Sequence, residues 1–304
     1  MPRHRHHDPD GLAELKRSFA IGAVIALLLA GCEARVKDEP GSGAPARRIV
    51  ALSPHLTELV YAAGAGDRLV GVVEYSNFPP PALAVPRIGD SFRLDFEALA
   101  ELEPDVILAW RSGTPADVQK RLRDMGFRVV AVDAEKLDEI ATQLTEIGNL
   151  AGTSDVASRV AADYVGRLQS LRERYADVDV IDVFYQVSAQ PLFTIGGRHV
   201  ISESIETCGG RNVFEDIEGL SPAVSLESVI VAAPDAIVAG HDSVSHEGRA
   251  RLVAQWAEWR SIPAVSNDDL YIVDANRMHR STVRILDALE ELCGHLARVR
   301  SRQG

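Results

Sequence analysis

The sequence predicts an α/β protein: two parallel-sheet lobes joined by one long rigid helix, with a cleft between the lobes. Three observations carry this. Residues 94–110 (LDFEALAELEPDVILAW) and 224–240 (VSLESVIVAAPDAIVAG) repeat Glu, Pro-Asp, Ile and Ala at the same offsets, so the chain is built from two related halves. Within each half, apolar runs of strand length alternate with amphipathic segments, the pattern of strand-helix-strand units. Between the halves, residues 154–175 carry Val156, Val160, Ala161, Tyr164, Leu168, Leu171 and Tyr175 at steps of three and four. As a helix this segment extends about 33 Å, long enough to act as a strut.

Residues 19–31 (FAIGAVIALLLAG) form an uncharged apolar run behind Lys16-Arg17 and directly before Cys32. As a helix the run rises only about 20 Å, short of a hydrocarbon core of about 30 Å. Residues 1–31 are therefore expected to be a signal peptide. The ending Leu29-Ala30-Gly31-Cys32 resembles the bacterial lipobox, in which the cysteine carries a thioether-linked lipid. Residues 32–46, rich in charge, Pro, Gly and Ala, are expected to be a flexible tether.

The first lobe is expected over 47–152, with strands at 48–53, 69–73, 106–110 and 128–132 and helices at 55–63, around Glu97 and at 116–125. The linker helix occupies 153–177. The second lobe, 178–304, has strands at 179–185, 236–239 and 270–273 and helices ending near Cys208, around Glu227, and at 248–259 and 281–300. In the repeat, Asp95 and Ser225 are N-cap residues. Glu97 and Glu227 then fall in first turns, where the helix dipole favours an acid by about 0.3–1 kcal/mol. Ligands of open parallel sheets bind beyond the carboxyl ends of the strands, so two facing sheets enclose a binding cleft.

The formal net charge of −12 makes nucleic acid a poor partner. Beyond Cys32 only Cys208 and Cys293 remain, which in an exported chain read as one disulfide or as two buried thiols. His241-Asp242 and His246-Glu247 offer zinc-type donors but sit in a polar loop, and no metal ligand is assigned. An exported hydrolase is the rival from another class of function. Ser53 and His55 lie close together, yet there is no nucleophile elbow and no acid placed to orient the histidine, so no catalytic residue is assigned.

The segments RIVALSPHLTELVYAAGAGDRLVGVVEYSNFPP, PDVILAWRSG and FTIGGRHVISESIETCGGRNVFED resemble the helical-backbone (class III) solute-binding proteins of ABC importers. The likeness runs from residue 48 to 299 and is closest to the cobalamin-binding members. Ser-Pro-x-x-Thr-Glu-Leu at 53–59 is general to the family, which also carries ferric siderophores and haem. Tyr75-Ser76 with Pro79-Pro80, Ala109-Trp110-Arg111, and Cys208-Gly209-Gly210 with Asn212 and Phe214 point more narrowly to cobalamin.

The resemblance implies a monomeric, lipid-anchored receptor at the periplasm or cell exterior. It would capture cobalamin or a related corrinoid, without cofactor or catalysis, for a permease dimer and its ATPase; a ferric siderophore or haem is the alternative ligand. It implies permease docking by Glu97 and Glu227 and a Cys208–Cys293 disulfide. A corrinoid is a broad, partly apolar disc with amide arms, so aromatic faces and a few polar groups should meet it. Tyr75 and Trp110 match the family's aromatic contacts, and Phe92 stands near a family tryptophan. Phe193 is expected as a wall from the other lobe, with Asn276 and Arg280 as polar contacts. Arg277-Met278 replaces an aromatic pair; Met278 and His279 stand within reach of a ligand's metal centre, but a lone loop histidine is more often solvated and neither is assigned as a ligand.

Overall fold

Short apolar runs become strands here because helices cover both sheet faces, so each strand is buried on two sides. In β1 (Ile49–Ala51), Ile49 and Ala51 join one core cluster while Val50 joins another on the opposite face. β1 is central in a four-stranded parallel sheet with β2 (Leu69–Val72), β3 (Val106–Trp110) and β4 (Val129–Val132), in the order β2-β1-β3-β4. The second sheet begins with β5 (Ile181–Gln186). An antiparallel hairpin follows, β6 (Ser188–Ala189) with β7 (Leu192–Phe193). Then come β8 (Gly210–Asn212), β9 (Ala236–His241) and β10 (Leu270–Asp274), all parallel in the order β10-β9-β5-β8. Counted from its own first strand, the second sheet has the same order as the first. The computed structural model describes residues 43–90, 93–242 and 244–303. The leader, Cys32 and Phe92 lie outside the described residues.

In chain order the helices are α1 (Pro54–Ala62), α2 (Phe96–Glu101), α3 (Ala116–Asp124), α4 (Leu137–Ala151), α5 (Ser154–Arg174), α6 (Val200–Thr207), α7 (Leu226–Ala232), α8 (His246–Trp256), α9 (Pro263–Ser266), α10 (Ala275–Met278) and α11 (Ile285–Gln303). The sequence repeat is now a repeat of structure: α2 leads into β3 as α7 leads into β9, each the third strand in chain order of its four-stranded sheet. Both helices are capped as expected. Asp95 accepts from the backbone N–H of Glu97 and Ala98, and Ser225 accepts from that of Ser228.

The long helix α5 buries Ala157, Ala161, Tyr164, Leu168 and Leu171, a face shifted by one residue at its start from the predicted one. It packs along α4 rather than standing free between the lobes. The Tyr164 hydroxyl donates to the Leu137 carbonyl at 3.0 Å, and Arg172 pairs with both Asp138 of α4 and Glu203 of α6. Helix α4 itself was not anticipated, although Leu137, Ile140, Ala141, Leu144, Ile147 and Ala151 give it a clear buried stripe. Edge strand β8 was also missed, because Gly210-Arg211-Asn212 has no apolar side chain to signal a strand. Its place is set by backbone pairing to β5, and the buried Asn212 amide donates to the Ile195 carbonyl and Ser202 Oγ.

One core cluster runs from Ala46 to Val299, drawing on both sheets and on α4, α5 and α11. The two lobes therefore share a core within the unit Ala44–Gly304. Ala46, assigned to the tether, is only 4% exposed, and its N–H donates to the Leu150 carbonyl, so packing begins before Arg47. Cys208, at the end of α6, and Cys293, inside α11, form a disulfide, deciding between the two alternatives left open by counting.

Candidate functional site

The carboxyl ends of strands from both lobes converge on one cavity of about 260 Å³. Ser53, Pro54 and His55 enter it just past β1, and Trp110 enters from the last position of β3. Asp242 follows β9, and Ala275, Asn276, His279 and Arg280 follow β10. The parallel topology places these residues together, because every strand delivers its exit loop to the same end of its sheet.

Trp110 is half-buried, and its indole N–H donates to Asp133 Oδ1 at 3.0 Å. The His55 ring meets it edge-on, with centroids 5.2 Å apart. The indole lies across the turn after β3, where Gly113 is required: a Cβ there would fall 1.8 Å from the ring. From the opposite lobe, His279 packs over Gly240, and its Nε2 sits 2.9 Å from the Tyr185 hydroxyl.

Arg280 is the most constrained group in the wall. Its guanidinium donates to Glu58 Oε1 (2.7 Å), Asn77 Oδ1 (2.9 Å), the Tyr75 carbonyl (3.2 Å) and Asn276 Oδ1 (2.9 Å). Glu58, on α1, is buried and also receives Arg284 Nη1 at 3.2 Å and Thr282 Oγ1 at 3.1 Å. Burial pushes the Glu58 pKa above the usual carboxylate value, while Arg280 and Arg284 pull it back down.

Of the expected contacts, Trp110, Asn276 and Arg280 line the cavity together. Tyr75 is 77% exposed, with left-handed backbone (φ 63°), and does not line the cavity; its carbonyl accepts from Arg280, which does. Phe193 is half-buried in β7 and does not line this cavity. Met278 is fully buried in the shared core and does not line the cavity, whereas His279 does. The expected polar loop is shorter than its four zinc-type donors: His241 ends β9, Asp242 belongs to the cavity wall, and His246 and Glu247 begin α8, where Glu247 pairs with Arg251 one turn on. Sequence reasoning missed Glu58 and Asp133. Glu58 stood in plain view inside the Ser-Pro-x-x-Thr-Glu-Leu element, but nothing local reveals a partner more than two hundred residues away.

The cavity histidines His55 and His279 are neutral, as is the buried helix cap His199. Burial lowers the pKa of His55 to about 4, aided by Arg280 and opposed by Asp133. His199, whose Nδ1 accepts from the Ile201 N–H and caps α6, is lowered to about 4, again chiefly by burial. His279 is lowered as well, by burial first. Ser53 Oγ lies 3.1 Å from His55 Nδ1, but so weak a base is poorly matched to activating a serine at neutral pH.

These shifts set a pH dependence. The folded values near 4 lie below the 6.5 of the unfolded chain, so unfolding takes up protons in that window. The stabilisation is complete above the unfolded pKa and is lost as pH falls toward the folded one. Between about pH 6.5 and 5.5 each of His55 and His199 should remove about 1 kcal/mol of stability. Urea unfolding across this range should show a shallower slope in His199→Gln than in the unaltered chain; parallel slopes would refute the assignment.

The periplasmic binding protein family profile matches residues 49–276. The chain belongs to the periplasmic binding protein family. This periplasmic binding protein is 38% identical over 253 residues to the vitamin B12-binding protein of Vibrio cholerae serotype O1, covering 83% of this chain and 90% of that one. It superimposes on the crystal structure of the periplasmic vitamin B12 binding protein BtuF of Vibrio cholerae with a TM-score of 0.77 at 37% identity, covering 84% and 98% of the two chains. A possible iron-binding periplasmic solute-binding protein from Staphylococcus epidermidis gives a TM-score of 0.71 at 26% identity, covering 83% and 99%.

Proposed function

We propose that this chain is the substrate-binding component of an ABC importer, taking cobalamin or a related corrinoid at the inter-lobe cavity and delivering it to a permease dimer driven by its ATPase. The observation that carries this reading is the make-up of the wall: Trp110 from one lobe faces Asn276 and the tethered Arg280 from the other, between neutral imidazoles. An aromatic face with amide and guanidinium partners suits a disc bearing amide arms. The similarity to vitamin B12-binding relatives supports the same ligand class. A cavity of about 260 Å³ holds one edge of such a ligand; the rest lies against the exposed rim, where Tyr75 stands. Because the lobes share a core, closure is small and selection comes from a largely preformed site.

Calorimetric titration with cyanocobalamin, cobinamide, haemin and a ferric siderophore tests the reading. A corrinoid should bind most tightly. Binding of an iron chelate alone would overturn it.

Glu97 and Glu227 occupy the second position of α2 and of α7, both exposed. The Glu227 backbone N–H and the Ser225 hydroxyl hold its carboxyl below the usual range, which keeps it charged. One acid on each of two like lobes suits a two-fold permease, where such charges steer association and fix register. Glu97→Ala with Glu227→Ala is expected to leave corrinoid affinity unchanged and to weaken capture by the reconstituted transporter by about tenfold at low salt. Equal capture in a pull-down would rule out this docking role. Residues 1–31 serve as the signal peptide, and Cys32 carries the lipid that holds the protein at the membrane; mass spectrometry of the mature N-terminus tests both.

A further inference from the structure

The buried carboxylate of Glu58 does more than join the lobes. Its partners Arg280, Thr282 and Arg284 all come from the short segment between α10 and α11, whereas Glu58 belongs to α1 of the other lobe. The Glu58 side chain is 3% exposed, and those of Arg280 and Arg284 are 11% and 16% exposed. Arg284 also lies over the Phe78 ring at 3.7 Å, so neither guanidinium swings freely. Among the described residues that line the cavity beside this network there is no other cation: His55 and His279 are neutral, and Asp242 adds a negative charge. The two guanidinium groups are thus offset by Glu58 between them and by Asp242 in the lining, and Asp133, bonded to the Trp110 indole, adds a third carboxylate close by.

We infer that Glu58 sets ligand selectivity as a positioning residue: it holds Arg280 in the wall and cancels its charge, so the cleft accepts ligands with neutral amide arms and rejects polyanionic chelates. This deepens the corrinoid reading and rests on it. A bare pair of guanidinium groups at a partly desolvated wall would attract carboxylate or catecholate oxygens strongly. Tied through both Nη groups to Glu58, Asn77, Asn276 and the Tyr75 carbonyl, Arg280 has only its Nε–H left for a ligand, held in place by the network.

The test uses the full chain purified in detergent, titrated with cyanocobalamin and with a trianionic ferric tricatecholate, at low and high salt. The unaltered chain should prefer cyanocobalamin, and its failure to bind any corrinoid would overturn the parent reading and this inference together. With corrinoid binding established, Glu58→Gln should narrow the preference by about tenfold or more through a gain for the anion. The gain should shrink as salt rises and disappear in Glu58→Gln/Arg280→Gln. A merely structural role would weaken both ligands in proportion; an unchanged ratio, or a gain that survives loss of Arg280, overturns the inference. Because breaking a buried ion pair can compromise folding, Asp242→Asn, at an exposed position, supplies a second reading. It should favour the anion by about threefold, and an unchanged ratio there counts against the proposal.

Discussion

Replacing Trp110 with alanine is expected to weaken corrinoid binding by about a hundredfold while leaving the fold intact. Large aromatic anchors at the centre of a contact surface are worth roughly 2–4 kcal/mol on truncation. Trp110 has the requirements of an anchor: its N–H is fixed on Asp133, its edge is set by His55, and its underside rests on Gly113. It stands at the end of β3 and is half-buried, so the strand pairing that holds the sheet does not depend on the indole. Calorimetry with cyanocobalamin measures the loss, and near-ultraviolet circular dichroism reports the fold. Gly113→Ala should act in the same direction by pushing the ring off its seat. Affinity within about threefold of the unaltered protein would show that the indole is only filling space.

The second large effect is on stability. Cys208→Ala with Cys293→Ala should lower unfolding free energy by about 4 kcal/mol, because the bond closes a separation of 85 residues and removes that much entropy from the unfolded chain in the chain-entropy view. The melting temperature should fall by about 10 °C. Neither cysteine lines the cavity, so cyanocobalamin affinity should change little. Both cysteines are fully buried, which shields the bond from reductant until the protein opens. Scanning calorimetry of the two forms checks this. A loss below about 1 kcal/mol would mean that the rest of the fold already confines α6 and α11.

Much of the architecture was legible because it is local. Strand β3 is a run of apolar residues between a Pro-Asp turn and the Trp110 loop, and its bounds were read without error. The omissions differ in kind. β8 is polar and depends on pairing with β5, and α4 was passed over although its stripe is regular. At the cavity, Trp110 was expected both from the family resemblance and from its place at a strand end, and Asn276 from the resemblance alone; the structure brings both into one wall. Arg280 was identified as a polar contact, but its commitment to Glu58 was not.

By itself, the sequence determined that this chain is two like halves around a long helix, that matching glutamates begin matching helices, and that two cysteines were left to pair. These follow from periodicity, capping and counting, which act over a few residues at a time. The tertiary structure alone decided that Glu58 meets Arg280 across 222 positions, that His55 lies edge-on to Trp110, and that the lobes share one core. Such contacts depend on how the two sheets are held relative to each other. That placement comes from side chains of α4, α5 and α11 packing together, and no local pattern encodes it.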